Sequence, residues 1–115
     1  CIERVFLENT QDLMLFLDSN LRVIKASRTF LQELDLSEEE ILDQDFYSIE
    51  KIGWNTQEMQ TLLNKVIQQN QEFMDYSISV DLMERGKKHF DLSARLLSEN
   101  EKINFIILLF RESRG

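Results

Sequence analysis

Residues 74–110 read MDYSISVDLMERGKKHFDLSARLLSENEKINFIILLF, and the pattern is that of three strands joined by two turns. Met74, Tyr76, Ile78, Val80 and Leu82 alternate with Asp75, Ser77, Ser79 and Asp81, the period of a strand with one buried face. Glu84-Arg85-Gly86-Lys87 turns the chain, and Phe90, Leu92, Ala94 and Leu96 then alternate with His89, Asp91, Ser93 and Arg95. After a second turn over Ser98 to Glu101, the segment Ile103 to Phe110 is apolar on both faces. Such a strand belongs in the middle of a sheet, with something covering each side.

Upstream of this meander the period changes to 3.6. From Asn55 to about Asn70, Met59, Leu62, Leu63, Val66 and Ile67 form one apolar stripe opposite Gln57, Glu58, Gln60 and Gln68, which predicts a helix with one buried face. Ser37-Glu38-Glu39-Glu40 is a capping box, with Leu36 and Ile41 placed as a hydrophobic staple. Ser27 is placed to cap a short helix carrying Phe30, Leu31 and Leu34. Earlier still, LMLFLD (residues 13–18), the turn residues Ser19 and Asn20, and LRVIKA (residues 21–26) predict a hairpin. Ile2, Val5 and Phe6 fall at helical spacing among Glu3, Arg4 and Glu8, so a leading amphipathic helix is expected as one cover for the last strand. Two strands, a group of helices and three strands make an α+β plan, with one antiparallel sheet and its helices mainly on one face.

At 115 residues and 43% hydrophobic the chain suits one core and one domain. It has no proline and only Gly53, Gly86 and Gly115, so nothing inside reads as a flexible linker. Thirteen basic against 21 acidic residues give a net charge of −8, the wrong sign for gripping a phosphate backbone, so no nucleic-acid partner is expected. The longest apolar run, Ile103 to Phe110, is interrupted by Asn104 and falls far short of the roughly 20 residues that span a bilayer, so no direct membrane insertion is expected. The single cysteine fits a reducing, cytoplasmic setting, and the start at Cys1 without a leader is expected of an excised piece of a longer protein.

The chain lacks a Ser/His/Asp or Cys/His set, a glycine-rich phosphate loop and Cys/His metal spacing, so no catalytic residue is assigned. His89, the only histidine, falls in the polar register of its strand and reads as an ordinary surface residue. The acidic set Glu38, Glu39, Glu40, Asp43 and Asp45 suits the positive end of a helix dipole, and helical spacing sends its carboxylates in different directions, so no metal site is assigned either. Asp75, Asp81 and Asp91 occupy polar registers, which argues against a small isomerase-like enzyme with a buried acid or base. The candidate site is aromatic. Phe46, Tyr47 and Trp54, with Met59 and Leu63 from the apolar helix face, either line a ligand pocket or pack as core.

The order of elements and several local strings resemble the PAS fold from about Asp12 to Glu112. The string LFLDSNLRVIKAS is similar to the family's first hairpin, with Ser27 where many members have Asn. LDLSEEEILDQ, Leu34 to Gln44, resembles the family's Ser-x-Glu-Glu helix string without its glycines, and Glu112 in Phe110-Arg111-Glu112-Ser113 stands in the acidic place near the end of the last strand. The resemblance implies five antiparallel strands in the order 2-1-5-4-3, helices packed on one face, and a flanking helix over residues 1–10. The core would cover 12–112, and a connector would start at 113–115. It further implies a sensory input domain of a larger signal transduction protein, such as a sensor histidine kinase of a two-component system. Partners would be a second copy, through the N-terminal helix and outer sheet face, and a downstream effector domain in the same chain. Haem-binding members usually take an axial histidine from the long helix; Gln57 to Asn70 has none, which disfavours haem. The lone Cys1 lies at the wrong end for a flavin photoadduct. Two functions remain open: a small-molecule sensor, and a ligand-free dimerisation and relay module of a transcription regulator or cyclic-dinucleotide enzyme.

Overall fold

The computed structural model of the protein describes residues 12–49, 51–83, 86–99 and 102–112. Strands β1 (Leu13–Asp18) and β2 (Val23–Ala26) come first, then helices α1 (Arg28–Glu33) and α2 (Glu38–Ile41), then a 3₁₀ turn (Phe46–Ser48). The two-residue strand β3 (Ile52–Gly53), helix α3 (Gln57–Gln69) and the meander β4 (Phe73–Leu82), β5 (Gly86–Glu99) and β6 (Lys102–Glu112) complete the chain. All six strands form one antiparallel sheet in the order β2-β1-β6-β5-β4-β3.

β6 takes the central place that a strand apolar on both sides requires, paired with β1 on one edge and β5 on the other. Ile106, Leu108 and Phe110 are buried on the inner face, while Phe105, Ile107 and Leu109 are half-buried on the outer one. On the outer face Met14, Phe16, Ile24, Ile107 and Leu109 form an apolar cluster separate from the main core. The expected covering helix over residues 1–10 and the connector at 113–115 lie outside the described residues.

The five expected strands are present in the expected order, and β3 is a sixth. It pairs Ile52 with Leu82 and Gly53 with Asp81, at the far edge. Two residues are too few to show a period, so nothing in the pattern announces it. Gly53 suits the close approach, since a Cβ there would lie 3.0 Å from the Asp81 carbonyl oxygen.

The alternation expected for β4 fails at its start. Met74 is 67% exposed and Tyr76 39% exposed, whereas Phe73 packs against the main core. A bulge between Phe73 and Tyr76 is the reason: Asp75 adopts a left-handed φ of 54°, and its N–H donates to Ser93 Oγ at 3.0 Å. The extra residue places Phe73 opposite Ala94 and Tyr76 opposite Leu92, both in the inner register. Tyr76 then lies at the rim, donating its hydroxyl to Glu58 of α3 at 3.3 Å. From Ile78 onward the expected face holds, with Ile78, Val80 and Leu82 buried.

The β1–β2 turn is held by Asp18, whose Oδ1 accepts from the N–H groups of Asn20 (2.8 Å) and Arg22 (2.9 Å). Leu21 has a φ of 64°, so β2 begins at Val23 rather than at Leu21 as the alternation suggests. In α2, Glu40 Oε1 accepts from both the N–H (3.0 Å) and the hydroxyl (3.2 Å) of Ser37, and Leu36 and Ile41 are both buried. Thr56 caps α3 by accepting from the Met59 N–H at 3.1 Å, and left-handed Asn70 ends it. Met59, Leu63 and Val66 turn inward as the helical stripe requires.

Candidate functional site

The aromatic candidates meet in the interior, between the inner sheet face and the loop that precedes α3. Phe46 is fixed by its backbone, its N–H donating to the Leu21 carbonyl at 2.8 Å. Asp45 caps the short turn, with Oδ2 accepting from the Tyr47 N–H (3.2 Å) and the Ser48 hydroxyl (3.3 Å). Trp54, carried one residue beyond β3, is only 2% exposed. Its ring lies 4.1 Å from that of Phe46 at 15°, and its Nε1–H donates to the Phe46 carbonyl.

The stack continues into the sheet. Trp54 lies 5.7 Å from Phe110 at 22° and 6.2 Å from Phe30 at 29°. Phe110 also meets Phe30 and Phe90, each at 5.7 Å. Of the five candidate residues, Phe46, Tyr47 and Trp54 are thus brought together, while Met59 and Leu63 belong to the same core from α3 without joining the ring cluster. An apolar seam runs beside the indole, lined by Leu13, Leu34, Ile52, Val80 and Phe90 among others, and it is too narrow to hold a water molecule. The interior here is close-packed.

Tyr47 stands apart from the stack in one respect. Its ring packs edge-on against Phe46 at 5.2 Å, yet its hydroxyl is buried with no hydrogen-bond partner among the described residues. Burial, assisted by the nearby Asp45 carboxylate, pushes this phenol up to about 12.

The remaining sequence candidates lie at the surface. His89 is exposed on the outer face, its Nδ1 2.8 Å from the Ser79 hydroxyl. Glu40 pairs with Lys51 at 2.9 Å, and that hydrogen bond, with the Ser37 backbone, holds its carboxyl below the ordinary range. Asp43 lies 3.9 Å from Arg22, and Asp45 serves as a cap. Glu40, Asp43 and Asp45 therefore have separate structural partners, and no group of three potential metal ligands forms among the described residues. Asp75, Asp81 and Asp91 are not buried.

Two further residues carry more than the sequence reading gave them. Ser27, fully buried, accepts from the N–H groups of Met14 (3.0 Å) and Phe30 (3.2 Å) and donates to the Asp12 carbonyl (3.1 Å). One hydroxyl thus ties the start of β1 to the end of β2 and the head of α1. Lys88 lies in the inner register with Phe90 and Leu92, its Nζ 3.3 Å from Glu33 at the end of α1 and 3.7 Å from Glu112 at the end of β6. A lysine two residues before Phe90 on an apolar face was the available signal, because such a group requires an acidic partner or a route to solvent.

Ring contacts join the Trp54 loop, α1 and the last strand; among the described residues no carboxylate or histidine is buried. A model of the PAS fold matches residues 4–112. No curated protein sequence matches the chain. The PAS domain of nitrogen regulation protein NR(II) from Vibrio parahaemolyticus is similar to it in structure, at 16% identity and a TM-score of 0.74, covering 98% of this chain and 99% of that one. A PAS domain from a two-component sensor histidine kinase is similar at 14% identity and a TM-score of 0.70, covering 97% and 94%. The PAS domain of the fruit-fly ELK potassium channel is similar at 10% identity and a TM-score of 0.77, covering 99% and 95%. Identities this low speak for the fold alone, but the family model spans nearly the whole sequence, and on that ground the chain belongs to the PAS family.

Proposed function

We propose that this PAS domain is a non-catalytic signal-input module of a larger cytoplasmic signalling protein, of the sensor histidine kinase kind, and that it works as a homodimer. The family match over residues 4–112 carries the reading. The likeness to PAS domains of a nitrogen regulation protein and of a two-component sensor histidine kinase supports the choice of output, and the single cysteine is in keeping with a reducing compartment. Among the described residues no helix is long and apolar enough to cross a membrane.

The outer sheet face supplies the dimer surface in this proposal, through the half-buried Ile24, Ile107 and Leu109, which pack over the buried Met14 and Phe16. Signal leaves along β6, whose inner face holds Phe110 and whose end holds Glu112. Sedimentation of the purified chain and of an Ile107→Glu variant tests this. A dimer that the variant splits into folded monomers supports the proposal; a wild-type chain that sediments as a monomer at all concentrations counts against it.

Two modes of input were open, a ligand sensor and a ligand-free relay. The stacking of Trp54 on Phe46, with a seam beside it too narrow for water, favours the relay. A domain of this kind responds to the state of its neighbours, through two packings of one dimer that a partner stabilises unequally.

A further inference from the structure

We infer that Trp54 closes the interior, its indole filling a slot suited to a flat, neutral heteroaromatic carrying a ring N–H. The inference rests on the relay reading above and names what holds the interior shut.

Three observations define the slot. Its ring contacts are supplied by Phe46, Phe110 and Phe30, with the first two within 22° of the indole plane, so a planar occupant is selected over a bulky one. Its polar contact is the buried Phe46 carbonyl, which accepts the indole N–H. An occupant of the same shape without a donor leaves that carbonyl unpaired. The other walls, Leu13, Leu34, Ile52 and Phe90, are apolar, so a charged occupant is rejected by its desolvation cost.

Each aromatic wall also has an anchor other than Trp54. Phe110 and Phe90 lie on the central and adjacent strands, Phe30 on the Ser27-capped helix, and Phe46 is held by its backbone bond to Leu21. Trp54 itself follows a two-residue strand at the sheet edge. Deleting its side chain is therefore expected to leave a cavity into which these anchored walls relax only in part.

The test uses Trp54→Gly, with indole as the probe and benzofuran as a control of the same shape whose ring oxygen cannot donate. Thermal unfolding is followed with each. Indole is expected to raise the variant's Tm in a saturable way, benzofuran to bind roughly tenfold more weakly or worse, and wild-type Tm to be unmoved by either. If the glycine variant is unfolded on its own, Trp54→Val is used with pyrrole and furan, and the same order is expected. Equal response to donor and non-donor probes, no response in a folded variant, or an equal shift of the wild type by indole would each overturn the inference. These outcomes are independent of sedimentation: a chain that never dimerises would contradict the proposed function and leave the slot intact.

Discussion

The ring of Trp54 lies 4.1 Å from the ring of Phe46, and the same indole donates its N–H to the carbonyl of that same residue. Side chain and backbone of Phe46 are thus both engaged by one partner eight residues away. Replacing Trp54 by Phe keeps part of the stack but leaves the carbonyl unpaired, at an expected cost of about 1–3 kcal/mol. Replacement by Ala removes the whole ring, at about 3–5 kcal/mol. Denaturant titration measures both, and a Phe variant as stable as the wild type would show that the hydrogen bond contributes nothing.

Ser27→Ala is expected to destabilise the domain by about 2 kcal/mol, more than an ordinary cap. The buried hydroxyl serves two N–H donors and one carbonyl, so its loss leaves the Met14 and Phe30 N–H groups short of an acceptor at once. Urea unfolding should show the loss in the midpoint without a change of slope.

Tyr47→Phe is expected to be neutral or slightly stabilising, because the hydroxyl it removes is buried and unpartnered. The pH dependence follows from the raised phenol. Unfolded tyrosine ionises near 10, whereas the folded group ionises near about 12. Between those values the unfolded chain releases a proton that the folded one keeps, so stability falls as pH rises through this window. Tyr76, the other tyrosine, is raised too, by the Glu58 charge first, so absorbance titration of Tyr47→Phe isolates it. Wild-type stability flat from pH 9 to 12 would contradict the assignment.

Lys88→Met is expected to change global stability by less than about 1 kcal/mol, since its two pairs are partly exposed. Its local effect is larger in kind. Without the link from Glu33 to Glu112 the end of β6 keeps the Phe110–Phe30 ring contact to α1 but loses this charged tie, and amide exchange at Arg111 and Glu112 should accelerate while that of Ile106 and Leu108 stays unchanged. Exchange unaltered along the whole strand would remove Lys88 from the proposed signal route.

What could be read in advance was what local period encodes. Ile103–Phe110 declared its central place by being apolar on both faces, and α3 and the Ser37 capping box declared themselves through short-range spacing. The start of β4 could not be read this way, because Phe73 and Met74 offer apolar side chains in both registers. The choice is made at Asp75, whose N–H partner is Ser93, 18 residues along. The candidate site was legible in the same partial manner. Phe46, Tyr47 and Trp54 stood out as neighbours in sequence, but their principal sheet partner, Phe110, lies more than fifty residues away and is delivered only by the central placement of β6. Met59 and Leu63 shared a helical stripe with core residues, and nothing in the stripe separates a pocket wall from a packed one.

Trp54, the only tryptophan in the chain, lies buried in the interior. Its fluorescence in the folded protein, read with and without acrylamide, tests this directly. The structure predicts a blue-shifted emission that acrylamide scarcely quenches until the protein unfolds. An emission at the wavelength of free tryptophan, quenched as readily in the native protein as in the denatured chain, would contradict it.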